Sequence, residues 1–255
     1  SKHLNKLVDF KDEDPHSGFK GTLRPYQKDG LSWLMFLKNN RFGGILADDM
    51  GLGKTIHALA FIQKVFHTLP KQKTNPPFLI VAPTSLLFNW ENECSKFAPE
   101  LRVRIHSGNK RNTEFNQFEN VDLIITSYGL IRNDTELFDQ AQFEIILLDE
   151  SQNIKNYSAK TTQYINKLQA NCRIALTGTP IENTIRDLWS QMNFLNKGLL
   201  GSLNQFNKKY AKPIEKEDNN TKTDELKQII KPFILRRTKE EVAKDLPHIL
   251  EKIIY

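Results

Sequence analysis

Between the apolar run Gly43-Gly44-Ile45-Leu46-Ala47 and a helical pattern from Ile56 to Phe66 lies Gly51-Leu52-Gly53-Lys54-Thr55. Few folds accommodate a turn so placed: a buried strand must end, the chain must reverse, and a helix must start within a few residues. Such a loop presents its backbone N–H groups, at a helix N-terminus, to an anion. Lys54 then reaches the terminal phosphates of a nucleoside triphosphate and the Thr55 hydroxyl holds Mg2+, with Asp49, Met50, Gly51, Leu52 and Gly53 completing the cradle. The full pattern is Gly, four residues, Gly-Lys-Ser/Thr. Asp48 occupies its first glycine, so the loop alone also reads as a glycine-rich helix start.

A second run decides between those readings. Ile145-Ile146-Leu147-Leu148-Asp149-Glu150 is a buried strand pattern ending in two carboxylates, about 95 residues after Lys54. An acid at such a strand end holds magnesium opposite the loop threonine. A second acid beside it activates the attacking water. Asp149 takes the metal role and Glu150 the water role, and with Lys54 they form the expected catalytic set for ATP or GTP.

Short apolar runs predict strands at Gly44–Ala47, Phe78–Ala82, Val103–His106, Val121–Thr126, Ile145–Leu148 and Arg173–Leu176. Most are continuous rather than alternating, the mark of strands buried on both faces. Helical patterns intervene at Pro25–Leu37, Lys54–Phe66, Thr84–Phe97 and Ala159–Leu168. Pro25 suits a first helical turn and Thr84 or Ser85 an N-cap. The alternation predicts an α/β fold, a parallel sheet flanked by helices with functional loops at the strands' carboxyl ends. After Leu195 no strand-like run appears up to Lys231, so residues 197–232 read as a helical protrusion, with Glu215–Lys222 as a polar loop.

Composition sets weaker bounds. The 255 residues are 39% hydrophobic and 10% aromatic, enough for a sizeable core. No apolar run approaches the ~20 residues of a membrane span, and the polar lead-in 1–21 lacks a signal-peptide core. Cys94 and Cys172 have neither metal-ligand nor disulfide-framework spacing, and the six histidines show no paired spacing. Buried free thiols in a reducing compartment are the expectation. Residues 1–196 carry 23 basic and 21 acidic side chains and residues 197–255 carry 13 and 9, an excess that suits a polyanion but is ordinary for a solvated surface.

Four further segments fall where strand-end loops belong. Leu23-Arg24-Pro25-Tyr26-Gln27 precedes the loop, and a Gln27 amide can read the edge of adenine. Pro83-Thr84-Ser85-Leu86-Leu87-Phe88-Asn89-Trp90 and Thr126-Ser127-Tyr128 offer hydroxyls and helix-start N–H groups to nucleic-acid phosphates, with Leu86, Leu87 and Trp90 read as core. Thr177-Gly178-Thr179-Pro180 follows the last predicted core strand, where it can couple nucleotide state to a nucleic-acid groove.

In this order the segments resemble the motor core of helicase superfamily two. Asp48-Asp49-Met50-Gly51-Leu52-Gly53-Lys54-Thr55, Asp149-Glu150-Ser151-Gln152-Asn153-Ile154-Lys155-Asn156, Asp187-Leu188-Trp189 and Phe233-Ile234-Leu235-Arg236-Arg237-Thr238-Lys239 resemble one branch closely, the Swi/Snf-type ATPases. The resemblance runs from Thr22 to Pro247 and makes Asp48 ordinary in the loop. It implies a RecA-like P-loop lobe over residues 22–196, the protrusion, and a brace over 233–255 leading to a second RecA-like lobe that supplies the arginine fingers. Arg236 and Arg237 are then brace residues, and the fragment alone should turn nucleotide over poorly.

By the same resemblance the partner is double-stranded DNA, contacted by Thr84, Ser85, Asn89, Ser127, Tyr128, Lys155 and Asn156, with ATP and Mg2+ as cofactors and Thr177, Gly178 and Thr179 as coupling residues. Gln at position 152 is common in bacterial-type members, which implies a cytoplasmic, nucleoid-associated protein, or a nuclear one in a eukaryote. Two alternatives stand beside this: a strand-separating helicase lobe, and a scaffold that binds nucleotide without hydrolysing it.

Overall fold

Strands that are apolar throughout are stable only when both faces are covered, and crossover helices supply that cover. The computed structural model describes residues 11–70, 75–114, 118–178, 184–217 and 219–242. α1 (Pro25–Asn39) leads to β1 (Gly44–Leu46), and α2 (Lys54–Thr68) starts directly after the glycine loop. β2 (Phe78–Ala82) passes through a 3-10 turn, Thr84–Leu86, into α3 (Leu87–Phe97). β3 (Val103–His106), β4 (Leu123–Ser127), α4 (Tyr128–Asn133) and α5 (Thr135–Asp139) follow. β5 (Gln142–Leu148) ends at the carboxylate pair, and α6 (Lys160–Lys167), β6 (Gln169–Leu176) and α7 (Ile185–Leu195) complete the central unit.

The strands form one parallel sheet in the order β3-β4-β2-β5-β6-β1-β7. Every residue of β2 and β4 and nearly all of β5 is buried. Each fully buried Leu or Ile there contributes roughly 1.5–3 kcal/mol of transfer free energy. This is the helix-flanked parallel sheet that the alternation predicts and the RecA-like lobe that the resemblance implies. In-register pairs Leu46↔Leu176 and Leu148↔Ala175 bring the carboxyl ends of β1, β6 and β5 level on one crest.

Several local expectations are corrected. Thr84 and Ser85 do not cap a single long helix: they lie in the 3-10 turn, with no side-chain cap bond at its start. Their position after Pro83 favours the tighter turn before α3 begins. Past α7, α8 (Leu203–Phe206) runs through a π turn, Asn207–Ala211, into α9 (Lys212–Glu217), and then comes α10 (Asn220–Ile230). The polar stretch read as a loop therefore lies mostly in two helices, the second capped by the Asn219 side chain on the Lys222 N–H at 3.0 Å. Charged residues on an exposed helix face mimic loop composition.

β7 (Ile234–Leu235) was absent from the expected strands. It is two residues long, below what periodicity can detect, and it extends the sheet beside β1 with Ala47 N–H donating to Leu235 C=O at 2.7 Å.

Residues 13–20 of the polar lead-in are strapped to the helices. Glu13 pairs with Lys64 at 2.7 Å, Asp14 with Lys28 at 2.6 Å, and Lys20 N–H donates to Phe97 C=O at 2.8 Å. Nearby, His16 and His67 stack at 3.5 Å, and His67 Nε2 is 2.7 Å from a Glu100 oxygen. The His16 Nδ1 atom accepts the Gly18 N–H at 3.1 Å. Cys94 and Cys172 are unpaired and buried, and burial pushes both thiols up to about 12. No helix among the described residues is long and apolar enough to cross a membrane.

Candidate functional site

The glycine loop owes its shape to two residues with positive φ, Gly51 at 88° and Gly53 at 80°. At Gly53 a Cβ would lie 2.7 Å from Gln27 Nε2, so both conformation and space call for glycine. Lys54 folds back into its own loop, with Nζ 2.6 Å from the Asp48 carbonyl and 3.5 Å from that of Asp49. Burial lowers the Lys54 pKa, opposed by the charges of Asp48, Glu150, Asp149 and Asp49. Thr55 follows in the first turn of α2.

Asp149 is fixed on several sides. Its Oδ2 accepts the Trp90 indole N–H at 2.8 Å, its Oδ1 accepts the Glu150 N–H at 3.0 Å, and its main-chain carbonyl accepts the Tyr128 hydroxyl at 2.6 Å. Burial raises the Asp149 pKa, the Trp90 bond lowers it, and the Glu150 charge raises it further. Hydroxyl, carboxylate and half-desolvated charge make Thr55 and Asp149 a fit for Mg2+, which takes hard oxygen donors.

Glu150 adopts a left-handed conformation, φ 50°, which costs a non-glycine residue about 1–2 kcal/mol. Asn153 Nδ2 donates to its carbonyl at 2.8 Å and Gln152 Nε2 to its Oε2 at 2.8 Å. Gln152 Oε1 in turn accepts the Thr177 hydroxyl at 3.1 Å. A hydrogen-bonded chain Glu150–Gln152–Thr177 thus joins the end of β5 to the end of β6. From α7, Gln191 accepts the Ser151 hydroxyl at 3.0 Å, and the Ser190 hydroxyl donates to Ile154 C=O at 2.6 Å, fixing the intervening turn. Met50, 74% exposed, leans towards the same place: a Cβ on Gly178 would lie 3.4 Å from its Cγ.

The predicted residues thus divide. Lys54, Thr55, Asp149, Glu150 and Thr177 share the crest formed by β1, β6 and β5. Thr84, Ser85 and Asn89 are exposed after β2, with Phe88 beside them 66% exposed. Ser127 and Tyr128 stand at the neighbouring end of β4 but are buried, and the Tyr128 hydroxyl is spent on Asp149. Lys155 is half-buried and Asn156 exposed, the latter holding Ser158. The Gln27 amide is also engaged, accepting Arg24 N–H at 2.9 Å and donating to Leu52 C=O at 3.3 Å. These bonds leave the amide one further N–H and one further lone pair for the expected adenine contact. Thr179 lies outside the described residues.

Sequence reasoning placed Trp90 in the core and missed its hold on Asp149. The available signal was chemical: a buried indole N–H needs a partner.

The SNF2-related domain family matches residues 26–255. YwqA of Bacillus subtilis, whose name places it among ATP-dependent helicases and translocases, is 51% identical over 239 residues, covering 92% of this chain and 26% of its own length. The TATA-binding protein-associated factor MOT1 of Saccharomyces cerevisiae is 39% identical over 250 residues, covering 89% and 13%. The SWI2/SNF2 ATPase core of Sulfolobus solfataricus, solved in complex with double-stranded DNA, superposes with a TM-score of 0.84 at 45% identity, covering 93% of this chain and 49% of that one. The chain therefore spans half or less of each relative.

Proposed function

The chain belongs to the SNF2-related domain family, and on that premise we propose that it forms the nucleotide-binding half of a DNA-stimulated ATPase that moves along double-stranded DNA. One observation carries the reading: both elements on the proposed nucleic-acid side grip Asp149. Trp90 follows the exposed Asn89 on α3, Tyr128 follows Ser127 at the end of β4, and each donates a hydrogen bond to Asp149. A duplex pressing on these elements would shift the carboxylate that positions the metal.

Lys54 and the loop N–H groups would hold the triphosphate, and Thr55 and Asp149 the Mg2+, which neutralises phosphate charge when bound. Glu150 would take the proton of the attacking water at its carboxylate, steadied there by Gln152. Thr177 would carry that position to β6. Thr84, Ser85 and Asn89 would meet phosphates, so sequence preference should be slight and affinity should fall with salt. A second lobe in the longer parent protein would complete the site.

The test is ATP turnover by the full-length protein with no DNA, single strands or duplex, beside Glu150→Gln. The expected result is stimulation by duplex above single strands, with the variant slower by roughly 10²–10⁴-fold while still binding nucleotide. Bound nucleotide without turnover under any nucleic acid would leave a scaffold. Stimulation by single strands alone would leave a strand-separating helicase.

A further inference from the structure

Asp48 occupies the loop position that a generic phosphate-binding loop gives to glycine. Its carboxylate is fully buried, and it meets a guanidinium from the far end of the chain. Arg237 Nε lies 3.0 Å from Oδ1, and Nη2 lies 2.5 Å from Oδ2. The other terminal nitrogen of Arg237 donates to the Tyr26 carbonyl, and the guanidinium lies over the Tyr26 ring at 5.1 Å. Arg237 itself is only 9% exposed.

The main chain repeats the connection. Asp49 N–H donates to Arg237 C=O at 3.0 Å, and Lys239 N–H donates to Asp49 Oδ2 at 3.1 Å. Residues 234–239 are thus woven along one side of the glycine loop, as Tyr26 and Gln27 are along another through Leu52 C=O.

A buried ion pair is a poor device for stability alone. Desolvation offsets most of the attraction, and an apolar pair of similar volume often serves as well or better; the best-attested use of such pairs is registry or switching. Asp48 has a second engagement that suits a switch: its carbonyl accepts Lys54 Nζ at 2.6 Å. One residue therefore holds the phosphate-binding lysine through its main chain and the C-terminal arm through its side chain.

A further acceptor lies beside the guanidinium. His57 is fully buried, with main-chain atoms of Gln27, Tyr26 and Gly53 near its ring but neither nitrogen in good hydrogen-bond geometry with them. From the point where Gly30 would carry a Cβ, Arg237 Nη2 is 3.0 Å away and His57 Nε2 2.9 Å. Burial and the Arg237 charge keep the ring neutral, so one of its nitrogens has a free lone pair.

We propose that Asp48 and Arg237 form a latch that makes the occupancy of the nucleotide loop readable at the arm 234–242. With Lys54 on the Asp48 carbonyl, the carboxylate holds Arg237. When a phosphate draws Lys54 away, the Asp48–Asp49 peptide loses that anchor, the Asp48–Arg237 pair loosens with it, and the guanidinium shifts towards His57. Arg237 is a positioning residue: it acts on nucleotide through Asp48. The inference rests on the loop's binding nucleotide.

The test compares the 255-residue chain with Arg237→Lys and Asp48→Asn, using a fluorescent ATP analogue with Mg2+ for affinity, amide hydrogen exchange for response, and thermal unfolding for stability. Lysine keeps the charge but loses the fork that spans Asp48 and the Tyr26 carbonyl. In the unaltered chain, nucleotide should change exchange both in the loop, 49–55, and in the arm, 234–239. Each variant should bind the analogue more tightly, because the latched state that nucleotide must open is gone, by a factor within the roughly 5–150-fold of typical coupling between sites. The arm should fall silent in each while the loop still responds. Variants that melt earlier but keep affinity and arm response would overturn the latch, as would an arm that never responds in the unaltered chain. Loop amides that ignore nucleotide in the unaltered chain would overturn the nucleotide reading beneath it.

Discussion

His57 shows at the scale of one residue how the loop's surroundings constrain chemistry. Burial, then the neighbouring Arg237 charge, depresses its pKa from 6.5 to about 3. The unfolded chain therefore takes up a proton between those values that the folded chain refuses. Stability from this source is complete above pH 6.5 and is lost as pH falls, by about 1.4 kcal/mol per unit while the difference lasts. His57→Leu should remove close to one proton from the linkage. Denaturant unfolding between pH 4 and 6 should show a slope shallower by that amount, and an unchanged slope would mean the ring is protonated in the fold. The sequence offered His57 only as one apolar-flanked histidine among six. Its isolation follows from Tyr26, Gly30 and Arg237 converging on it, which no spacing encodes.

Among elements, the helices after α7 separate composition from conformation. Glu215–Lys222 has the polar makeup of a linker, yet Glu215 to Glu217 and Asn220 to Lys222 are helical. The residue that permits this is Asn219, whose side chain satisfies an otherwise orphaned N–H at the start of α10. Asn219→Ala should cost about 1 kcal/mol, within the 0.5–2 kcal/mol of a lost N-cap. Asn219→Asp should keep most of that stability, as thermal unfolding would show. If alanine proves neutral, the cap is not what starts the helix. The strands of the central unit were legible because continuous apolar runs have one stable use in an α/β chain. β7 was not, because Ile234 and Leu235 acquire strand geometry only from pairing with Ile45 and Leu46.

On the scale of the whole molecule, the crest poises two charges against their environment. In the proposed site Asp149 must be ionised to hold Mg2+, and burial raises its pKa. Lys54 must be protonated to meet phosphate, and burial lowers its pKa. Mg-nucleotide binding should therefore fail at a higher pH on the acid side, and at a lower pH on the alkaline side, than an ordinary aspartate and lysine would set. The Trp90 hydrogen bond opposes the rise at Asp149, so Trp90→Phe should move the acid limb to still higher pH with the alkaline limb unmoved. Titrating the affinity of a Mg-nucleotide analogue across pH in both proteins checks this. An acid limb that stays put would detach Trp90 from Asp149.

The sequence by itself determined the sheet, the loop and the carboxylate pair. Each is a local pattern: buried strands are apolar throughout, a phosphate loop needs glycines before Lys54 and Thr55, and the carboxylates end a strand. It also ordered these segments along the chain, which sufficed for the family resemblance. What only the tertiary structure decided were the partners of those residues. Trp90 and Tyr128 on Asp149, Gln152 between Glu150 and Thr177, and Arg237 on Asp48 join positions up to 189 residues apart. Such bonds depend on where strand ends meet on the crest. Hydrogen-bond reach is about 3 Å, and only the folded sheet brings those ends that close.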